Sequence, residues 1–385
     1  MKTFLLSFAG GFLALILFFL ILPLIIIGVA SGGSKDVRPE GPIILQVDMR
    51  YELPDQPPSE GLAGLFGQTS FIDVITRLDA AADDPDVEGV FIRASEWGVG
   101  SARAEELRTA IKKLRDADKF VVAHSQGFYM GTPSAYRAIS AADEIWMQQG
   151  TDFAVSGVSL ETLFFKDLLE KLEVTAEIEA LYEYKNAPNV YKESGFTEAH
   201  ELALRELGED IWRISVTDIE ADRGEHLKLN MALREALENS PYSAAQAVEM
   251  GLADKLGWPE DAVRAAEERG GDAMMLYISE YIPPTADSDA PVIALIGGEG
   301  PIVTGYSGGD YFDPNASAMI ASDTIAAQIY DAGENEDVRA IVFRVDSPGG
   351  SPTASDQIWK AIEYVQETHE KPVVISMGSV AASGG

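Results

Sequence analysis

The chain has 385 residues, 62 of them acidic and 29 basic, for a formal charge of −33, with 46% apolar and 24% charged side chains. These proportions exclude wholesale disorder and suit two or three domains of about 150 residues each, while the acidic excess excludes nucleic-acid binding through clustered Lys and Arg. The absence of cysteine excludes disulfides, thiolate catalysis, cysteine-bound zinc and iron–sulfur clusters, and four scattered histidines (His124, His200, His226, His369) do not suggest a His-rich metal site.

No charge occurs from Thr3 to Ser34, and Phe4–Ala30 is almost wholly apolar. About 20 residues of helix span the hydrocarbon of a bilayer, so residues 1–34 are expected to form a transmembrane anchor, with the rest of the chain on one side of the membrane. The run exceeds a signal-peptide core, although Gly28-Val29-Ala30-Ser31 has the small residues of a cleavage site, and a cleaved signal or a buried core helix are the alternatives. Lys2 precedes the run, and Lys35 and Arg38 come after it beside Asp36 and Glu40, so the flanking charges do not set an orientation.

A polar linker, Gly32–Gly41, leads to a short apolar strand, Pro42–Val47, and a Pro/Gly-rich loop, Leu53–Gly67. Asp86-Val87-Glu88-Gly89-Val90-Phe91-Ile92-Arg93 then recurs, 251 positions later, as Asp337-Val338-Arg339-Ala340-Ile341-Val342-Phe343-Arg344. Each copy has a helical pattern before it (Phe71–Ala82; Ser322–Ala332), a turn and a second helix after it (Arg103–Ala117; Ala354–His369), and then another apolar strand (Phe120–Ala123; Pro372–Ile375). Strands alternating with helices predict βαβ units and a mostly parallel sheet, here in two related domains, residues 42–282 and 291–385. Between the copies the pattern predicts helices over Leu160–Leu172, Thr197–Arg223 and within Ser243–Leu256, where Gly251 is the expected stop. Tyr281–Pro291 reads as the linker between the domains.

The strand ending at Val345 runs into Asp346-Ser347-Pro348-Gly349-Gly350-Ser351-Pro352. Taken alone this is a tight strand-to-helix turn; its uncovered glycine N–H groups also suit a developing oxyanion. The next strand leads into Met377-Gly378-Ser379-Val380-Ala381-Ala382-Ser383-Gly384-Gly385, either a small-residue packing surface or a serine nucleophile at a helix N-terminus. The first copy has Ser95-Glu96-Trp97-Gly98-Val99 and Tyr129-Met130-Gly131-Thr132-Pro133 in these places, with Gly131 opposite Ser383, so only the second copy carries a nucleophile. A serine needs a base. His124 lies in a strand and His369 near a helix end, and no Asp–His pair suggests itself. Lysine is the other option, provided burial holds it neutral. Lys185, within Leu181-Tyr182-Glu183-Tyr184-Lys185-Asn186-Ala187, has aromatic and apolar neighbours; the plain alternative is a surface lysine lying on the tyrosines.

Together these segments resemble the signal peptide peptidase A family in its long, duplicated form. The resemblance rests on Tyr184-Lys185-Asn186-Ala187, Asp346-Ser347-Pro348-Gly349-Gly350, Ser376-Met377-Gly378 and Ala381-Ala382-Ser383-Gly384-Gly385, with support from Ser125-Gln126-Gly127, Phe164–Lys171 and Gly251-Leu252-Ala253-Asp254. It implies an α/β fold of two tandem Clp protease/crotonase-like domains behind an N-terminal transmembrane helix. It implies a serine protease of the bacterial inner membrane, single-pass, with its catalytic domains on the periplasmic side, degrading released signal peptides and other hydrophobic peptides. By the same resemblance Ser383 is the nucleophile, Lys185 the general base, and the Gly350 and Gly384 N–H groups form the oxyanion hole. A homo-oligomer, a tetramer in the family, is expected, and no metal or organic cofactor. Two departures stand out. The family continues well beyond the position of Gly385, so the second domain is expected to be incomplete, which leaves open whether this chain cuts peptides by itself, and Asp346 replaces a frequent Asn. Two other functions stay open at this point, crotonase-like acyl-CoA chemistry and a non-enzymatic, membrane-tethered peptide-binding scaffold.

Overall fold

The computed structural model describes residues 17–19, 21, 41–56, 69–129, 133–285, 290–306 and 319–385. Most of the expected anchor lies outside them; Leu17, Phe18, Phe19 and Ile21 are helical and exposed. Among the described residues no helix is long and apolar enough to cross a membrane.

In chain order the elements are β1 (Ile43–Asp48), α1 (Phe71–Asp83), β2 (Val87–Arg93), α2 (Ser101–Asp116), β3 (Phe120–Ser125), α3 (Ser134–Ile139), β4 (Glu144–Met147) and β5 (Asp152–Phe153). Next come α4 (Lys166–Lys171), α5 (Asn189–Lys192), α6 (Glu198–Arg223), α7 (Leu233–Glu238), β6 (Tyr242–Ser243), α8 (Ala244–Glu249), β7 (Lys255–Leu256), α9 (Pro259–Gly270) and β8 (Met274–Tyr277). The last part holds β9 (Val292–Glu299), β10 (Ile302–Val303), β11 (Ile320–Ala321), α10 (Ser322–Glu334), β12 (Val338–Ser347), α11 (Pro352–His369) and β13 (Val373–Ala381).

The two larger sheets are parallel, a six-stranded one in the order β7-β4-β3-β2-β1-β8 and a three-stranded one in the order β13-β12-β9, beside the two-stranded pairs β10-β11 (parallel) and β5-β6 (antiparallel). The unit β1-α1-β2-α2-β3 recurs as β9-α10-β12-α11-β13, down to the register. Ile43 and Ile44 face Val87 and Gly89, skipping one residue, and Val292 and Ile293 face Val338 and Ala340 with the same skip. Local sequence explains the units. Ser70 and Asp73 close a capping box at the start of α1, and Ser351 caps α11 with Pro352 in its first turn.

The first sheet is covered on both faces, as parallel sheets require. Leu45, Val90, Ile92 and Val121 point to the core shared with α1, α2 and α3, and the alternate residues Ile44, Phe91 and Val122 meet Ala262 and Ala266 of α9. In the second sheet Ile341, Phe343 and Val345 pack with Ile325, Ile329, Ile358 and Val365 of α10 and α11. On the strands flanking β12, Ile293, Leu295, Val374 and Met377 are exposed, and no counterpart of α9 covers them among the described residues.

The stop at Gly251 takes the form its sequence implies. Its N–H donates to Val248 O and that of Leu252 to Ala247 O, a Schellman closure with Gly251 at φ +75°. A Cβ there would stand 1.9 Å from His226 O. The long acidic helix α6 is also as expected, capped by Thr197; its Asp218 and Asp222 take the buried Arg137 and Arg108 at 2.7 and 2.8 Å. The helix expected over Leu160–Leu172 is shorter. Only Lys166–Lys171 is helical, because Leu160, Leu163, Leu168 and Leu172 are all exposed, and apolar spacing extends a helix only where it buries a face.

Candidate active site

The site is assembled where β12 and β13 end. Ser347 closes β12 with its buried hydroxyl donating to Gly300 O at 2.8 Å and accepting the N–H of Gly349 at 3.0 Å. Gly349 is at φ +91°, in the left-handed region that favours glycine. A Cβ built on it would stand 2.6 Å from Ala382 O, 2.6 Å from Ser383 Cβ and 2.7 Å from Gly384 N. The turn therefore lies directly on the backbone of 382–384, and Gly349 is required for that approach.

Gly350 bridges Ile302 in parallel fashion: Ile302 N donates to Gly349 O and Ser351 N donates to Ile302 O. In such a bridge the N–H of Gly350 itself faces away from Ile302. Gly384 lies on the first turn of α11, where a Cβ would come 2.4 Å from Ser355 Oγ. The positive end of an 18-residue helix is thus beside the two N–H groups assigned to an oxyanion.

Ser383 is exposed and sits at φ +55°, a conformation that costs a non-glycine residue about 1–3 kcal/mol and that clusters at functional sites. The sequence alone suggests a helix N-terminus for it. Instead β13 stays extended to Ala381, and Ser383 lies in a turn closed by the bond from Gly385 N–H to Ala382 O at 2.8 Å. Pairing with β12 explains the difference: it carries the strand to Ala381, which faces Ser347.

Asp346 does not disturb the turn. Its carboxylate accepts the N–H groups of Ser379 at 3.2 Å and Val380 at 3.1 Å, fastening β13 just before Ser383. From the sequence this residue stands out only as a departure from Asn; an acidic side chain beside a small-residue strand is the signal that could have marked it.

Lys185 lies in a turn between α4 and α5 and is exposed, as are Leu181, Tyr182 and Tyr184. Its side chain makes no hydrogen bond or ion pair with Ser383 or with any other described residue. The aromatic neighbours expected to bury it do not do so, because Leu181, Tyr182 and Tyr184 are themselves exposed.

The corresponding turn of the first repeat keeps the backbone and lacks the chemistry. Gly98 is at φ +105°, matching Gly349, but Val99 stands where Gly350 does, and the Trp97 and Tyr129 rings pack 5.6 Å apart over the turn. Gly131 lies outside the described residues.

Residues 113–271 match the model of Peptidase family S49, a range that includes Lys185 and not Ser383. Protease 4 of Haemophilus influenzae is 30% identical over 95% of this chain and 62% of its own length. Protease 4 of Salmonella typhi is 27% identical over 96% of this chain and 62% of its own length, and the chloroplastic serine protease SPPA of Arabidopsis thaliana is 25% identical over 89% and 50%. The chain thus spans about three fifths of the length of the two protease 4 relatives. Among solved structures, a membrane-bound stomatin-specific protease aligns at 10% identity and a TM-score of 0.34, over 64% of this chain and 100% of that one. The chain is thus similar to Peptidase family S49 over residues 113–271 and, along nearly all of its length, to the protease 4 and SPPA proteins.

Proposed function

We propose that this protein is a serine endopeptidase with a Ser383/Lys185 dyad, cutting hydrophobic peptides such as released signal peptides. The observation that carries the reading is the seating of the Gly349–Gly350 turn on Ala382–Gly384, which sets a strained serine beside two glycine N–H groups at a helix N-terminus. In the reaction Ser383 Oγ gives its proton to Lys185 Nζ and attacks the scissile carbonyl. The oxyanion accepts from Gly350 and Gly384 N–H, and the leaving amine takes the proton from Lys185. Water then releases the acyl group from Ser383 with Lys185 again as base.

The exposure of Lys185 in one chain asks for a second surface. A contact between copies that covers Leu181, Tyr182 and Tyr184 would bring the base to the serine and exclude water from both, so the active form in this reading is a homo-oligomer. The remaining parts of the proposal are two tandem Clp protease/crotonase-like domains, an anchor over Phe4–Ala30 and a periplasmic location at the bacterial inner membrane. They are supported by the recurring βαβαβ unit and by the apolar N-terminal run.

A fluorophosphonate probe tests the site. Labelling is expected at Ser383 and to vanish in Ser383→Ala. Labelling elsewhere, or none, overturns the assignment and favours a binding scaffold or acyl-CoA chemistry.

A further inference from the structure

Resting on the reading of Ser383 as nucleophile, we propose that Arg103, a residue of the first repeat, is a positioning residue for the site of the second.

The pairing of β12 with β13 is irregular just before the site. Val345 faces Met377 and Ser347 faces Ala381, so one residue of β12, Asp346, stands opposite three of β13, Gly378, Ser379 and Val380. Such a bulge re-aims the next residues of its strand, and here those are Ala382-Ser383-Gly384. The bulge takes the Asp346 side chain in place of backbone partners: one carboxylate oxygen accepts from Ser379 N–H and the other from Val380 N–H. Gly378 makes room for this, since a Cβ there would meet Asp346 Oδ2 at 2.6 Å.

Asp346 is nearly buried, stands opposite Glu299 in register and shares one cation with Glu299 and Asp55. Arg103, in the first turn of α2, answers all of them. Its Nη2 stands 3.9 Å from Asp346 Oδ2 and 3.8 Å from Glu299 Oε1, and its Nε 3.6 Å from Asp55 Oδ1. The guanidinium is held from behind, with Nη1 donating to Leu53 O at 2.8 Å and the Phe71 ring centroid 5.3 Å from Cζ. Arg344, the other cation here, is occupied by Asp55 and Glu106. Without Arg103, Asp346 has Glu299 for a neighbour and, among the described residues, no cation to hold it over the two N–H groups. The same helix closes the bulge sterically, because Gly100 lies against Ser379, where a Cβ would come 2.4 Å from Oγ. The first repeat thus fixes the bulge of the second, and the bulge fixes where Ser383 meets the glycine turn.

The contacts of Arg103 with the three carboxylates are charge contacts at 3.6–3.9 Å, not hydrogen bonds. Charge, more than the shape of the guanidinium, is therefore what the site needs.

The test uses the full chain with Arg103→Gln, Arg103→Lys and Asp346→Asn, the last breaking the same link from the other side. Two readouts are taken: the rate of fluorophosphonate labelling of Ser383, and amide exchange at Ser379 and Val380 by mass spectrometry. Arg103→Gln and Asp346→Asn are each expected to slow labelling and to speed exchange about tenfold, and the double variant to be no worse than either single one. Arg103→Lys is expected to keep labelling within about threefold of the unmodified protein, which a purely structural loss at this position would not reproduce. In peptide cleavage the loss should fall on kcat, with KM unchanged. Ser383 labelling at an unchanged rate in Arg103→Gln, or Arg103→Lys as slow as Arg103→Gln, overturns this proposal alone. Absence of labelling at Ser383 in the unmodified protein overturns the nucleophile reading and this proposal with it.

Discussion

Arg344, near the end of β12, grips Asp55 of the first repeat with two parallel hydrogen bonds, Nε to Oδ2 and Nη2 to Oδ1, both 3.0 Å long. The two residues lie 289 positions apart, and their side chains are 1% and 0% exposed. Burial opposes the Arg344 cation, but the hydrogen bonds to Asp55 and Glu106 outweigh it and hold its pKa above the ordinary arginine value. Arg93, the same position in the first repeat, reaches only the Gln126 amide among the described residues, at 2.6 Å, and burial lowers its pKa. One repeat therefore neutralises this arginine of its neighbour.

Breaking that grip should be costly. Arg344→Met leaves Asp55 buried without its partner, and a loss of about 3–5 kcal/mol is expected, read as a lower urea midpoint. Replacing both residues by apolar ones of similar size should recover part of it. A loss under about 1 kcal/mol for the single change would mean that the pair contributes little.

Gly349→Ala tests the seating of the turn. The new methyl meets Ala382 O and Ser383 Cβ at 2.6 Å in a backbone region that disfavours it, so the two segments must part. Since a displacement of about 1 Å can cost about a hundredfold in rate, kcat/KM for a peptide should drop by roughly that factor. Gly150→Ala, at φ +77° with open space around it, controls for backbone strain alone and should leave activity intact.

For the dyad, Ser383→Ala and Lys185→Ala should each abolish peptide cleavage without unfolding the chain, and the double variant should be no worse than either single one. Lys185→Arg should also be inactive, because a guanidinium does not give up its proton in proteins. Cleavage by Lys185→Ala at the unmodified rate would point to another base, with Lys192 the first to examine.

His124 makes stability sensitive to mild acid. Its ring is fully buried, Nε2 lies 3.1 Å from Gly257 O, and burial above all pushes its pKa down to about 4. An unfolded histidine takes up its proton near 6.5, so between those values the unfolded chain binds more protons and the native state loses ground as pH falls. The loss from this residue should reach roughly 3 kcal/mol by about pH 4. In His124→Gln, urea midpoints measured from about pH 7 to about pH 4.5 should fall less steeply. An unchanged slope would show that His124 takes no part.

Much of the fold was legible in the chain because its determinants are local. The repeated octapeptides, the alternation of apolar runs, the capping residues Ser70, Thr197 and Ser351, and the stop at Gly251 each act within a few residues of themselves, and two βαβαβ units result from them. The Gly349–Gly350 turn was legible for the same reason, since the positive φ of Gly349 and an N–H at Gly350 that no side chain covers belong to the glycines themselves. The extent of the helix around Leu168 was not, because apolar spacing does not say whether a surface exists to receive it. Nor was the turn at Ser383, which depends on how far β13 pairs with β12. The cover of α9 on one sheet only, the exposure of Lys185, and the links from Asp55 to Arg344 and from Arg103 to Asp346 came from the tertiary structure alone. Partners more than 200 positions apart meet only once two sheets have packed, and no local pattern along the chain records which charge will stand opposite which.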